Sequence, residues 1–319
     1  MRMLREIAEA IRAGQTFLIS SHTNPEGDAI GSVLALSLGL KSLGKKAEVL
    51  IQDPVPEMLM FLPGVEDIVH QVYSDVRFDV AFALDCGSQD RLGNAVQGFK
   101  QAGKIINIDH HSGNSRFGDF NLVDPAASST AEIIYDLFRE IPIEFTKSVA
   151  ENIYTGILTD TGSFRYSNTS PKAFAIARAC LLAGVDPWKQ AEKIYETQPL
   201  ARLRLLKLAL ATLEVTADGR ISSMMVSRKM MEESGASTGL TEDFINYPRS
   251  LEGTEVALLF REISSDEYRI SLRSRGTVDV AKIAREFQGG GHPNAAGCTL
   301  EGTLLAVRTK ILTAVRAAF

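Results

Sequence analysis

Cysteine is scarce: three residues in 319, at Cys86, Cys180 and Cys298. They are far apart and odd in number, which argues against a disulfide framework and fits a reducing compartment. None has a zinc-like partner two residues away, so they read as core or strand-end residues. Excess positive charge is also missing. The 34 Lys and Arg are outnumbered by 39 Asp and Glu, a net charge of −5. That balance argues against coating long nucleic acid through bulk electrostatics. It leaves room for a short nucleotide in a local basic pocket. The longest apolar segment, residues 29–40, is too short to span a bilayer and begins against Asp28. The first residues, Met-Arg-Met-Leu-Arg-Glu, carry charge and lack an apolar core, so no signal peptide is read. The expectation is a cytoplasmic protein with no membrane partner. No internal repeat or low-complexity segment is visible.

What is present is a chain long enough for two domains and a core that needs no staples. Helical spacing over residues 2–13 (Leu4, Ile7, Ala8, Ile11) leads into a short apolar strand, residues 16–20. Next comes the polar turn Ser21-His22-Thr23-Asn24-Pro25-Glu26-Gly27-Asp28. Asp28 is placed to cap a helix over 29–43, with Gly31 and Ser32 in its first turn open to an anion. Further strands are expected at 47–51, 79–85 and 104–108, separated by helical stretches, hence parallel βαβ units. Helices follow at 129–138, opened by Ser128 or Ser129 with Glu132 in capping-box position, at 146–158 and at 172–183. A long helical run from Trp188 to about Leu213 reads as a connector. From Gly219 the texture turns to strands, at 221–226, 255–263, 268–272 and 298–300, with helices at 278–287 and 304–318. The fold class is therefore α/β: a mostly parallel sheet with flanking helices, then a smaller α/β domain joined by a helical linker. The expected divisions are 1–186, 187–216 and 217–319.

The chemistry concentrates where strands end. Asn107-Ile108-Asp109-His110-His111 closes one buried strand, Asp85 closes another, and His22 follows a third. Ligands of open α/β sheets sit beyond the carboxyl ends of the strands. One His there would read as a cap. Two His behind an Asp suit a divalent metal. The candidate donors are His22, Glu26, Asp28, Asp85, Asp109, His110, His111 and Asp160. Five carboxylates gathered at one edge repel strongly unless cations accompany them. Two divalent ions about 3.5–4 Å apart would remove that repulsion and clamp a phosphoryl oxygen. Asp160, at a helix end, is disfavoured by the helix dipole unless a metal sits nearby. In the second half, Arg273 and Arg275 share a face if their strand runs through both. The Gly289-Gly290-Gly291-His292 loop is a natural anion nest. Together these read as a phosphate or nucleotide clamp.

Five motifs carry a family resemblance over nearly the whole chain. They are His22-Thr-Asn-Pro-Glu-Gly-Asp28, Leu84-Asp85-Cys86-Gly87, Asp109-His110-His111, Thr159-Asp160-Thr-Gly-Ser-Phe164 and Gly289-Gly-Gly-His292-Pro-Asn-Ala-Ala-Gly297. The chain resembles the DHH–DHHA1 phosphoesterases. Within them it is similar to the stand-alone bacterial oligoribonuclease (nanoRNase) and 3′-phosphoadenosine-5′-phosphate (pAp) phosphatase branch. The resemblance implies Mn²⁺-dependent hydrolysis of oligoribonucleotides of about two to five residues and dephosphorylation of pAp. It implies one Mn²⁺ on His22, Glu26 and Asp85, and a second on Asp28, Asp85, His110 and Asp160, with Asp85 bridging. His111 would donate to the scissile phosphate and Asp109 would orient an imidazole. Arg273, Arg275, Gly290, Gly291 and His292 would bind the substrate's terminal phosphate or ribose. The family usually has Asp where this chain has Glu26, one methylene longer and still a carboxylate. Alternatives are a phosphodiesterase of signalling dinucleotides such as pApA or cyclic di-AMP, and a nucleotide sensor without catalysis. Oligomeric state, a homodimer included, is left open.

Overall fold

Short apolar runs build the first sheet. The structure, a computed structural model, describes residues 2–71 and 76–319. Helix α1 (Arg2–Ala13) precedes β1 (Thr16–Ser20), and α2 (Gly27–Ser42) leads to β2 (Lys46–Leu50) and β3 (Ile68–Val69). Then follow β4 (Val80–Leu84), α3 (Val96–Phe99), β5 (Ile105–Asp109) and β6 (Phe120–Val123). All six strands are parallel, in the order β3-β2-β1-β4-β5-β6. Parallel pairing demands crossovers, and crossovers put helices on both faces. Alternation along β4 serves two cores at once. Val80, Phe82 and Leu84 join Ile7, Leu34 and Ile153 on one face. Ala81 and Ala83 join Leu18, Leu92 and Phe99 on the other.

The strand order reverses between β1 and β4. That switch point opens a crevice at the carboxyl ends of the strands. Helices α4 (Thr130–Phe138), α5 (Lys147–Asp160), α6 (Pro171–Leu182) and α7 (Pro187–Ala191) complete this part of the chain. A Cβ on Gly31 would lie 2.5 Å from the Asn152 carbonyl oxygen, and one on Gly156 2.6 Å from the Ala131 Cβ. Gly31 therefore lets α2 and α5 pack closely, and is not the anion cradle expected of it. Nor does Asp28 cap α2. Glu26 does, accepting from the Ala29 N–H.

The chain divides into two units, one ending at Thr197 and one beginning at Gln198. The helical run expected from Trp188 to Leu213 is broken there. A π-helical turn at Glu192–Glu196 follows α7, and α8 (Leu200–Leu210) begins after Pro199. Proline cannot donate into a helix and biases the residue before it toward extended backbone. Ile194 packs into the first unit's core, while Leu205, Leu206 and Ala209 pack into the second's.

The second unit continues with β7 (Glu214–Val215), β8 (Ile221–Val226), α9 (Arg228–Ser234), α10 (Asn246–Arg249), β9 (Val256–Ser264) and β10 (Glu267–Ser274). It ends with α11 (Val280–Glu286), β11 (Gly290–His292), β12 (Ala295–Glu301) and α12 (Leu304–Ala317). The sheet order is β11-β12-β10-β9-β8-β7, with β8 and β9 parallel and the other pairs antiparallel. Among the described residues, no helix is long and apolar enough to cross a membrane.

Candidate metal centre

The switch point gathers donors from four segments. His22 follows β1, Asp85 follows β4, and Asp109, His110 and His111 close β5. Glu26 and Asp28 open α2, and Asp160 is the last residue of α5. All eight residues expected to carry the chemistry of the first half converge. His22 Nε2 lies 3.1 Å from Glu26 Oε2 and 3.6 Å from Asp85 Oδ2. His110 Nε2 lies 3.6 Å from Asp85 Oδ1, 3.7 Å from Asp160 Oδ2 and 3.9 Å from Asp28 Oδ2. Donor atoms of His22, Glu26 and Asp85 fall within 4.8 Å of one another, as do those of Asp28, Asp85 and His110. Asp85 belongs to both sets.

Most of these side chains are held from behind. His22 Nδ1 lies 2.8 Å from the Thr23 carbonyl, which turns Nε2 toward the carboxylates. Asp28 reaches across to the start of α4. Its Oδ2 accepts from the Thr130 N–H at 2.6 Å and its Oδ1 from the Ala131 N–H at 2.9 Å. A helix N-terminus is where orphan amides favour an anion. The Thr130 hydroxyl donates to Asp85 Oδ1 at 3.1 Å. Asp85 itself has φ +53, a left-handed conformation that Asp adopts more readily than most residues. Backbone strain of this kind gathers at functional sites. Asn168 donates to Asp160 Oδ2 at 3.2 Å. Asp109 Oδ1 takes the N–H groups of His110 and His111 and lies 2.7 Å from His111 Nδ1.

The electrostatics call for cations. Burial, then Asp85 and Asp160, raises Asp28 well above the ordinary carboxylate range. Burial pushes Asp160 up to about 7, His110 opposing and Asp85 adding to the rise. Burial works against charged His22 and His110, yet the surrounding carboxylates raise them to about 11 and about 9. Asp85 is also buried, but His22, His111 and His110 hold it well below its usual value. The carboxylates thus favour positive charge on the imidazoles beside them. Carboxylates with imidazoles at this spacing are the donor set of a hard divalent ion.

In the second unit, Arg273 lies on β10, but the strand ends at Ser274. Arg275 sits exposed in the turn beyond, so the two Arg are not successive members of one strand face. The Gly289–His292 segment is an edge strand from Gly290 onward and not a loop. A Cβ on Gly289 would lie 2.2 Å from the Gly297 carbonyl oxygen, and one on Gly291 (φ +138) 2.4 Å from that of Ala295. These two glycines let the strands of the hairpin approach. Gly290 faces open space. Register pairs both Arg273 and His292 with Ala295, putting them on one face of the sheet about 10 Å apart.

Three residues around the centre were missed from sequence: Asn107, Asn114 and Thr130. Asn107 is fully buried, and a polar residue inside an apolar strand was the available signal. Asn114, three residues past His111, carried only its proximity. Thr130 carried none.

A central crevice of buried carboxylates and imidazoles, on a parallel sheet with a second α/β unit, defines a metal-dependent phosphoric ester hydrolase. The chain belongs to the DHH–DHHA1 phosphoesterase family. The model of the DHH family, N-terminal domain, matches residues 16–157, and that of the DHHA1 domain matches residues 221–319. A bifunctional oligoribonuclease and PAP phosphatase NrnA from Thermus thermophilus is 36% identical over 99% of this chain and 93% of its own length. A protein of the same name from Bacillus subtilis is 26% identical over 93% of each. The crystal structure of an exopolyphosphatase-related protein from Bacteroides fragilis superposes with a TM-score of 0.90 at 29% identity. The match covers 99% of this chain and 96% of that one.

Proposed function

We propose that the chain hydrolyses oligoribonucleotides of about two to five residues to mononucleotides and dephosphorylates pAp to AMP, with two Mn²⁺ ions as cofactors. One observation carries the reading: two donor sets, His22–Glu26–Asp85 and Asp28–Asp85–His110, share one buried carboxylate. His22, Glu26 and Asp85 would hold one ion. Asp28, Asp85, His110 and Asp160 would hold the other. When bound, such ions supply Lewis acidity toward a phosphoryl oxygen and acidify water.

The chain's own residues do the rest. Asp109 engages His111 through Nδ1 and, with Asp85, favours the protonated ring, whose Nε2–H would then donate to the scissile phosphate. Thr130 and the first amides of α4 keep Asp85 and Asp28 from turning away. Arg273, Arg275 and His292 hold the terminal phosphate or ribose, with Gly290 and Gly291 leaving backbone accessible beside them. The names of the relatives from Thermus thermophilus and Bacillus subtilis support this substrate choice over signalling dinucleotides.

The test is a panel of pAp, pApA, cyclic di-AMP, RNA dimers and RNA of increasing length, each turned over with Mn²⁺, Mg²⁺ and chelator. Fastest turnover of pAp and RNA of two to five residues, abolished by chelator, is expected. Preference for cyclic di-AMP or pApA, or binding without turnover, overturns the reading.

A further inference from the structure

The Asp109–His111 pair is itself held by Asn114. Asn114 Nδ2 faces three acceptors: Asp109 Oδ2 at 2.6 Å, Asn107 Oδ1 at 2.8 Å and the Cys86 carbonyl at 3.2 Å. Its other end, Oδ1, accepts from the Arg116 N–H at 2.6 Å. A flipped amide would point oxygen at three oxygens, so the orientation is fixed by its neighbours. Asn107 anchors the arrangement in turn. It is fully buried, and its Nδ2 donates to the carbonyls of Ala83 and Cys86 at 3.1 Å each.

We propose that Asn114 is a positioning residue for phosphoester hydrolysis, acting through Asp109 on His111. The proposal rests on the reading that places His111 at the scissile phosphate. Asp109 is fully buried, and its two oxygens are divided in labour. Oδ1 takes the backbone of the His pair and the His111 ring, while Oδ2 takes Asn114. A buried carboxylate deprived of one donor rotates to recover another. For this one, such a rotation carries Oδ1 away from the His111 ring. The amide chain therefore transmits the rigidity of the β4–β5 edge to the imidazole. The same two amides grip the carbonyl of Cys86, the residue after left-handed Asp85, and so steady that turn as well.

The test uses the full-length protein loaded with Mn²⁺ and an RNA dinucleotide. Asn114→Ala is expected to lower kcat by about 10- to 100-fold, with KM and Mn²⁺ affinity by calorimetry within about twofold. In a His111→Ala background the same substitution is expected to cost less than about twofold, because the group it positions is gone. An equal cost in both backgrounds overturns the proposal. Asn114→Asp keeps the acceptor for Arg116 but turns a carboxylate oxygen toward Asp109 Oδ2 and Asn107 Oδ1, so repulsion replaces the donor and kcat is expected to fall at least as far. Normal kcat in Asn114→Asp also overturns it. A second readout needs no turnover: the His111 Nδ1–H proton resonance of the Mg²⁺ or metal-free protein is expected downfield and is lost in both variants. If His111→Ala alone leaves kcat unchanged, it is the role given to His111 that fails, before Asn114 is reached.

Discussion

The two units hold their polar residues differently. In the first, Asp28, Asp85 and Asp109 are buried to within about 1% of full enclosure, and other groups of the fold fix all three. In the second, Arg273 is half-buried, Arg275 is exposed, and Gly290 and Gly291 lie on an open edge strand. Buried and cross-braced groups act in the transition state at no reorganisation cost. Half-exposed cations on long side chains bind ground and transition states alike, which moves KM more than kcat. Each unit should therefore respond to mutation in its own kinetic constant.

The largest expected effect is at Asp85. Asp85→Asn removes the charge common to both donor sets while keeping the side chain's shape and its contact with Thr130. Loss of metal-derived charge stabilisation is worth several kcal/mol, or roughly three orders of magnitude in kcat. Bound Mn²⁺ should fall with it, measured by metal analysis after gel filtration. Rates within tenfold of the parent would show that the donors act independently, and the contrast between the units would lose its basis.

A smaller effect is expected at Arg273. Arg273→Ala should raise KM for a dinucleotide by about tenfold, one lost charge-assisted contact, and leave kcat within about threefold. Steady-state kinetics over a wide substrate range decide it. A selective fall in kcat would place Arg273 at the reacting phosphate and erase the distinction.

Much of the first unit was readable because its polar residues break strong local patterns. An acid at the end of an all-apolar strand, as at Asp85, is conspicuous, and so is Asp-His-His after Ile105-Ile106. Parallel pairing then put those ends on one edge without further information. What could not be read is long-range. Asp28 looked like a helix cap from its neighbours, and two of its partners, Thr130 and Ala131, lie more than 100 residues away. Gly31 looked like an opening for an anion until α5 was laid against it. In the second unit the strand stops short of Arg275 and the Gly289–His292 segment is a hairpin edge and not a loop, because strand ends and glycine-rich hairpins depend on cross-strand register. Local spacing does not encode register.

The smallest effect separates the units by pH. In the metal-free protein His22 and His110 titrate near 11 and 9, above their ordinary 6.5, and His111 is raised as well. A folded form that binds protons more tightly than the unfolded chain loses stability as pH rises. That contribution is complete below about pH 6.5 and declines toward the folded values. Asp160, raised to about 7 from 3.8, has the same sign and has lost most of its contribution by then. Asp85, lowered, contributes fully above 3.8 and adds no slope in this range. The second unit's shifted carboxylates are all lowered: Glu214 by Arg308, Asp218 by Thr216 and Glu255 by Arg220. They too are flat above pH 5. Between about pH 6.5 and 8.5 the melting temperature of the metal-free first unit should therefore fall by several degrees, while that of the second stays level. Calorimetry with chelator resolves the two. Mn²⁺ at 100 times its Kd adds about 2.7 kcal/mol, roughly 5–10 °C for a unit of this size. Its effect grows with pH, because metal displaces the protons those imidazoles hold. A metal-free first unit whose melting is insensitive to pH would mean that the carboxylates do not confine protons, and that the buried cluster is less charged than its geometry requires.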